Sequence, residues 1–95
     1  MPLQKYMSTK KQLGTITILV KDRQQHSVDV NRILTENSRL ILARLGVNVA
    51  RTCVTGCTAM VTVAIEGTTK EINGLTEKLD SLYGIVAKAN IVTEE

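Results

Sequence analysis

The apolar positions divide most of the chain into six successive segments. In four of them apolar residues alternate with polar or small ones, and this period of two, rich in β-branched residues, predicts strands. The four predicted strands are 14–20, 39–45, 58–66 and 85–92. Val47 and Val49 can prolong the second strand beyond a bulge at Gly46, because a glycine inside a strand pattern often marks one.

The other two segments have apolar residues at helical spacing. In the first, 24–37, they lie at i, i+3 and i+4, which are Val30, Ile33 and Leu34. Thr68 and Glu71 match a capping box, which predicts the start of the second helix. Its apolar residues recur every three or four positions, at Ile72, Leu75, Leu79 and Leu82. Gly84 lies where a left-handed residue would terminate this helix.

The order strand, helix, strand, strand, helix, strand predicts the fold class. It is an α+β, ferredoxin-like βαββαβ sandwich, in which a four-stranded antiparallel sheet carries two helices on one face. A chain of 95 residues has room for one domain. We expect that domain at 13–95, after a flexible N-terminal tail at 1–12 that lacks a repeating apolar pattern. The residues expected to face the helices include Ile16, Ile18, Val61, Val63 and Ala87.

The sheet face turned away from the helices is predicted to be apolar. Its residues include Thr15, Thr17, Leu19, Met60, Thr62 and Ala64. A face in contact with water would show a regular polar alternation, which is absent from this set. We therefore expect a second copy of the chain to cover this face, in a homodimer or homotetramer.

Composition and charge exclude several classes of function. The hydrophobic content of 43% is typical of a globular domain. No apolar run approaches the roughly 18 residues of a membrane-spanning helix, and the N-terminus lacks the features of a secretory signal. We therefore expect no membrane association and a cytoplasmic location. The net charge of +3 resides in the tail, since basic and acidic residues balance from Leu13 onward. Without a basic face and with 2% aromatic residues, nucleic-acid binding is not expected.

Five motifs resemble those of one protein family. They read VKDR at 20–23, VNRIL at 30–34, ILARLG at 41–46, GTTKEINGLTEKL at 67–79 and LYGIV at 82–86. From Leu13 to about Val92 the chain resembles small proposed regulators associated with iron-only hydrogenase maturation. Their fold is similar to that of ACT-type amino-acid-sensing domains and of the effector-binding domain of the nickel-responsive repressor. The resemblance implies an oligomeric, non-catalytic domain with a regulatory role. The loop after Gly46 departs from the family's usual proline and aromatic residue, so no ligand contact is carried over to it.

The candidate ligand-binding residues are Asp22, Arg23 and Arg44. Asp22 and Arg23 lie at the junction of the first strand and first helix, where similar sensing domains place an effector between neighbouring subunits. An anionic or amino-acid-like effector could use the helix amides there, with Arg23 or Arg44 as its charged partner. The alternative is that Asp22 merely caps the helix or turn.

Cys53 and Cys57 support an alternative function, a thiol-dependent metal or redox sensor. Two thiolates are half of a tetrahedral zinc site, so carboxylates or a second subunit would have to complete it. The simpler interpretation is two small, partly buried thiols in a reducing cytosol. His26, the lone histidine, is predicted to face solvent near the start of the first helix.

No catalytic residues are predicted. The acidic residues have no nucleophile placed beside them, and no phosphate-binding glycine loop is present. We expect no enzymatic activity and no cofactor. A glycine such as Gly74 inside a helix costs about 1 kcal/mol of stability relative to alanine. Because such a cost needs a reason, we expect the sheet or a neighbouring helix to approach Gly74 closely. Contact with a ligand is the alternative.

Overall fold

A four-stranded antiparallel sheet with two helices packed on one face makes up the fold. The computed structural model describes residues 10–49 and 57–93. The elements are β1 (Lys11–Val20), α1 (Arg23–Glu36), a 3-10 turn (Ser38–Leu40), β2 (Ile41–Asn48), β3 (Ala59–Thr68), α2 (Thr69–Asp80) and β4 (Ile85–Ile91). The strand order is β2-β3-β1-β4, with every neighbouring pair antiparallel. The predicted ferredoxin-like fold is confirmed.

One apolar core joins the inner face of the sheet to both helices. Ile16, Ile18 and Val63 are completely buried on that face. The helices contribute the six buried residues Val30, Ile33, Leu34, Ile72, Leu75 and Leu79. Each such side chain contributes about 1.5–3 kcal/mol when it is fully removed from water. The residues expected to face the helices therefore do so, and this packing determines which sheet face remains open.

β1 begins earlier than its apolar pattern predicts. Lys11 and Gln12, assigned from the sequence to the tail, are the first two residues of this strand. Gln12 is buried, and its Oε1 accepts a hydrogen bond of 3.0 Å from the Thr93 hydroxyl. The same hydroxyl oxygen accepts one of 2.7 Å from the Leu13 amide. Backbone pairing of Lys11 with Thr68 and of Gln12 with Gly67 extends the strand where no apolar residue marks it. Residues 1–9 of the predicted tail lie outside the described residues.

β2 differs most from its predicted pattern. It begins at Ile41, because the preceding residues form the 3-10 turn. Its register with β3 shifts around Leu42, which is 61% exposed. The strand does continue past Gly46, but Gly46 pairs regularly with Val61, so a bulge at this glycine is wrong. Every residue from Leu42 to Asn48 is exposed, which makes β2 an edge strand open on both faces.

The predicted capping box at the start of α2 is confirmed. The Thr68 Oγ1 accepts a hydrogen bond of 3.1 Å from the Glu71 amide, and the Glu71 Oε1 accepts one of 2.9 Å from the Thr68 amide. Arg39, in the 3-10 turn, donates to Glu71 Oε2 at 3.2 Å. The hydrogen bond from the Thr68 backbone, followed by that from Arg39, lowers the pKa of Glu71 below its ordinary value. These contacts connect the turn before β2 and the end of β3 to the first turn of α2.

Acid should therefore weaken the fold through Glu71. Because the pKa of Glu71 is lower in the folded state, its stabilising contribution is complete above its unfolded value of 4.5 and is lost as the pH falls through the folded value. We expect Glu71→Gln to lower the free energy of unfolding at pH 7 and to reduce its dependence on pH below 5. Urea unfolding of both proteins between pH 3 and 7 measures this. Equal pH dependence in the two proteins would contradict the assignment.

The close approach expected at Gly74 is wrong. A Cβ added to Gly74 would find no atom of the described residues within 4 Å outside its own helix. Gly14 is the opposite case, because a Cβ there would collide with the backbone carbonyl oxygen of Asn90 on β4. Glycine is required by packing in β1 and is not required in α2.

We accordingly expect Gly74→Ala to raise the free energy of unfolding by about 1 kcal/mol, which is the difference in helix propensity between the two residues. Gly14→Ala should lower it, since β1 and β4 would have to separate. Chemical denaturation of the two variants and the parent chain tests both signs. A destabilised Gly74→Ala protein would show that α2 has a close neighbour after all.

Candidate functional site

A cleft of about 280 Å³ lies between α1 and β2, beside the junction of β1 with α1. Val20, Val30 and Val61 form part of its apolar lining. Its polar lining residues are Arg23, Ser27, Asn31, Arg44 and Asn48. The cleft exists because α1 packs against β1 and the core while β2 projects beyond it. We call this space the α1–β2 cleft.

Two of the three predicted ligand-binding residues meet in this cleft. Arg23 is the first residue of α1, and its Nε is buried without a hydrogen-bond partner. Arg44 reaches the cleft from β2, and its Nη2 donates a hydrogen bond of 2.7 Å to Asn31 Oδ1 on α1. No acidic residue is among the described residues that line the cleft. The α1–β2 cleft therefore carries two guanidinium groups without a neighbouring carboxylate.

Three of the amides at the start of α1 already have partners. The Arg23 amide donates to the Cys57 carbonyl oxygen at 2.6 Å. The amides of Gln25 and His26 donate to the Asp22 carbonyl oxygen at 3.0 and 3.2 Å. A ligand in the α1–β2 cleft would thus depend on the arginine side chains, and the predicted contribution of the helix amides is not supported at these three positions.

Asp22 lies in a different cavity from Arg23. That cavity, of about 450 Å³, is lined by Lys21, Asp22, Gln25, His26, Tyr83 and Gly84. The backbone of Asp22 is left-handed, with φ of 54°, and its side chain makes no capping hydrogen bond. Asp22 is thus the N-cap residue of α1, as the alternative interpretation has it, but its carbonyl oxygen and not its side chain accepts the hydrogen bonds. Asp22 therefore does not line the cleft that contains Arg23 and Arg44, the other two predicted ligand-binding residues.

His26 is not simply a solvent-facing helix residue. It packs edge-on against Tyr83, with ring centroids 5.6 Å apart and an interplanar angle of 66°. Its ring also lies over Gly84, where an added Cβ would be 2.7 Å from His26 Cδ2. Gly84 has a φ of 76°, which confirms the predicted left-handed residue, although α2 itself ends earlier at Asp80. Tyr83 is 87% exposed.

Cys57 does not provide a free thiol in this structure. It is buried and disulfide-bonded, and its amide donates to Gln24 Oε1 at 3.3 Å. Cys53, the other residue of the predicted thiol sensor, lies outside the described residues. Within 10–49 and 57–93, no group of three or more His, Cys, Asp or Glu residues is arranged to hold a metal ion. The described part of the chain thus gives no support to a metal centre.

The outer face of the sheet is as apolar as predicted. Leu45, Val47 and Met60 lie side by side on β2 and β3 and are 67%, 43% and 39% exposed. The small residues Ala43, Thr62, Ala64 and Thr15 surround a shallow apolar depression next to them. Among the described strand residues, the charged side chains that alternation assigns to this face are Lys11, Glu66 and Lys88. Arg44 also lines the depression, although alternation assigns its side chain to the opposite face.

Comparison with known proteins identifies the family. Residues 12–89 match the TM1266-like family model, which is described as a proposed iron-only hydrogenase system regulator. The chain belongs to the TM1266-like family. No curated protein gives a significant match. None of the helices in the described residues is both long enough and apolar enough to span a membrane.

Solved structures share the fold of this chain. The uncharacterized protein TM1266 from Thermotoga maritima is 26% identical, with a TM-score of 0.76 over 87% of this chain and 99% of that one. The ACT domain from the GTP pyrophosphokinase of Chlorobium tepidum is 15% identical, with a TM-score of 0.62 over 90% of each chain. The de novo designed protein Foldit4 is 18% identical, with a TM-score of 0.53 over 90% of this chain and 100% of that one. This TM1266-like chain therefore has an ACT-like fold.

Sequence reasoning missed three polar residues of the α1–β2 cleft, which are Ser27, Asn31 and Asn48. Ser27 and Asn31 follow Arg23 at i+4 and i+8, so the three share one face of α1. This polar stripe beside the buried Val30 is visible in the sequence. The stripe becomes one wall of a cleft only together with Arg44, which lies on β2 and donates a hydrogen bond to Asn31 in the folded chain.

The geometry at Gly84 gives a direct test of this end of the fold. We expect Gly84→Ala to lower the free energy of unfolding by about 1–2 kcal/mol, because a side chain at positive φ is strained and would also displace the His26 ring. Gly46→Ala is the matched control, since a Cβ there would lie 3.9 Å from Val61 Cγ2, an ordinary contact. Thermal and urea unfolding measure both changes. Equal stability of the two variants would contradict the contact.

Proposed function

We propose that this TM1266-like chain is a non-catalytic regulatory domain of an iron-only hydrogenase system, which acts as a homo-oligomer and binds a small-molecule effector. The family description supports the regulatory role. The ACT-like fold supports a domain that binds and transmits rather than catalyses. We place it in the cytoplasm, with no resident cofactor.

The observation that carries the proposal is the uncovered outer face of the sheet. Leu45, Val47 and Met60 are large apolar side chains in contact with water at the β2 edge of this face. Covering such groups contributes about 25 cal/mol for each Å² of apolar area. A two-fold arrangement would bring the same apolar surface of two copies together. A second copy of this chain is therefore the proposed occupant.

The proposed effector site is the α1–β2 cleft. Arg23 and Arg44 would bind the effector, and Asp22, in the neighbouring cavity, would contact it only if the ligand extended toward Lys21. The cleft opens on the same strand that supplies Leu45 and Val47 to the outer face. Effector binding at the cleft would in this way reach the subunit interface through β2.

Disrupting the outer face should dissociate the oligomer. We expect Leu45→Lys to sediment as a single chain at micromolar concentration while the parent protein sediments as a dimer or tetramer, because a buried ammonium group in the apolar interface is strongly unfavourable. Analytical ultracentrifugation measures this, and circular dichroism verifies that the variant is folded.

Val28→Lys is the matched control. Val28 is 69% exposed, close to the 67% of Leu45, but it lies on α1 and not on the sheet. The same substitution at this position should leave the sedimentation coefficient unchanged. A parent protein that sediments only as a single chain would refute the proposed assembly.

A further inference from the structure

We propose that the effector of the α1–β2 cleft is a small oxyanion, held by its carboxylate or phosphate oxygens between the guanidinium groups of Arg23 and Arg44. This inference rests on the proposed regulatory function and names the chemical class of the ligand. It is based on three observations: a buried hydrogen-bond donor of Arg23 without a partner, the absence of acidic residues from the described lining of the cleft, and the volume of the cleft.

The orphaned donor is Arg23 Nε. It is buried and has no hydrogen-bond partner, whereas buried polar groups in folded proteins nearly always have one. The position is fixed because Arg23 is the first residue of α1 and its amide is bound to the Cys57 carbonyl oxygen. Because the Nε is inaccessible to water, a ligand oxygen would satisfy it only after the Arg23 side chain turned toward the cleft, with the backbone of the helix in place.

The second guanidinium is already oriented. Asn31 Oδ1 accepts a hydrogen bond from one terminal nitrogen of Arg44, and this leaves the other donors of the planar group for a ligand. Arg44 lies on β2 and Arg23 on α1, so the two cations line opposite walls of the same cleft. Guanidinium groups match the geometry of carboxylate and phosphate oxygens, often through two parallel hydrogen bonds.

The charges of these two arginines are not compensated within the described residues. The ion pairs there involve Arg32, with Asp29 and Glu36, and Arg39 with Glu71. The other residues that line the cleft are apolar, small or neutral polar side chains. An anion is therefore the ligand class that the electrostatics of the cleft favour.

The volume restricts the anion to a small molecule. The 280 Å³ of the cleft lie just below the range of about 300–1,000 Å³ that is typical of drug-sized ligands. The apolar lining by Val20, Val30 and Val61 can accept a short hydrocarbon portion. Inorganic phosphate and short carboxylic acids fit both limits, and a polymeric anion does not.

The test is titration of the full chain with two probes, inorganic phosphate and succinate, at constant ionic strength maintained with sodium chloride. Isothermal calorimetry gives the affinity, and backbone amide NMR locates the binding. We expect saturable binding of at least one probe, with shifts around Arg23 and Arg44, and the tighter probe identifies a phosphate or a carboxylate as the preferred group. Failure of both probes to saturate would overturn the proposal.

Three substitutions assign the binding to the cleft. Arg44→Gln and Arg23→Gln should each weaken binding by about tenfold or more, because each removes a charge-assisted contact. Arg32→Gln is the matched control, since Arg32 is an exposed arginine of α1 that does not line the cleft. If Arg32→Gln weakens binding as much as Arg44→Gln, the attraction is a general charge effect and the proposal is wrong.

Two measurements keep the result interpretable. If circular dichroism shows that Arg23→Gln does not fold, the exposed Arg44 decides the outcome alone. Sedimentation of the same samples separates this inference from the proposed oligomer. A dimer that binds neither probe refutes the oxyanion, whereas a single chain that binds a probe through Arg44 refutes the assembly and leaves the oxyanion site intact.

Discussion

The packing of α1 and α2 on the inner faces of β1 and β3 is the interaction on which the rest of the structure depends. Ile16, Ile18 and Val63 are inaccessible to water only because both helices lie on the same side of the sheet. The arrangement has two consequences. It leaves the opposite sheet face bare, and it leaves β2 outside the covered area, with residues exposed on both sides. The cleft and the outer face are the two sides of this uncovered strand.

Much of the fold could be predicted from local patterns. Thr68 and Glu71 form their capping box within four residues, and the buried positions of both helices follow from spacing alone. The errors occurred where a distant contact decides the structure. Gln12 belongs to β1 because its backbone pairs with Gly67 on β3, and its side chain accepts a hydrogen bond from Thr93. The register shift near Leu42 likewise depends on pairing with β3.

The candidate site was predictable only in part. Arg23 and Arg44 could be selected as cations near a strand–helix junction, but their meeting across a cleft depends on how far β2 projects beyond α1. Asp22 is adjacent to Arg23 in sequence and yet faces a separate cavity, because its left-handed backbone turns the chain between them. Proximity in sequence is therefore a poor guide at this junction, and Asn31, eight residues after Arg23, is a closer functional neighbour.

Arg44 and Leu45 are consecutive residues of β2, and their side chains point to opposite faces of the sheet. A small rotation of β2 about its own axis moves both at once. Binding and self-association are then linked thermodynamically. A molecule that binds the oligomer more tightly than the single chain must also increase the association constant of the chains. The concentration of the protein would consequently set its sensitivity to that molecule.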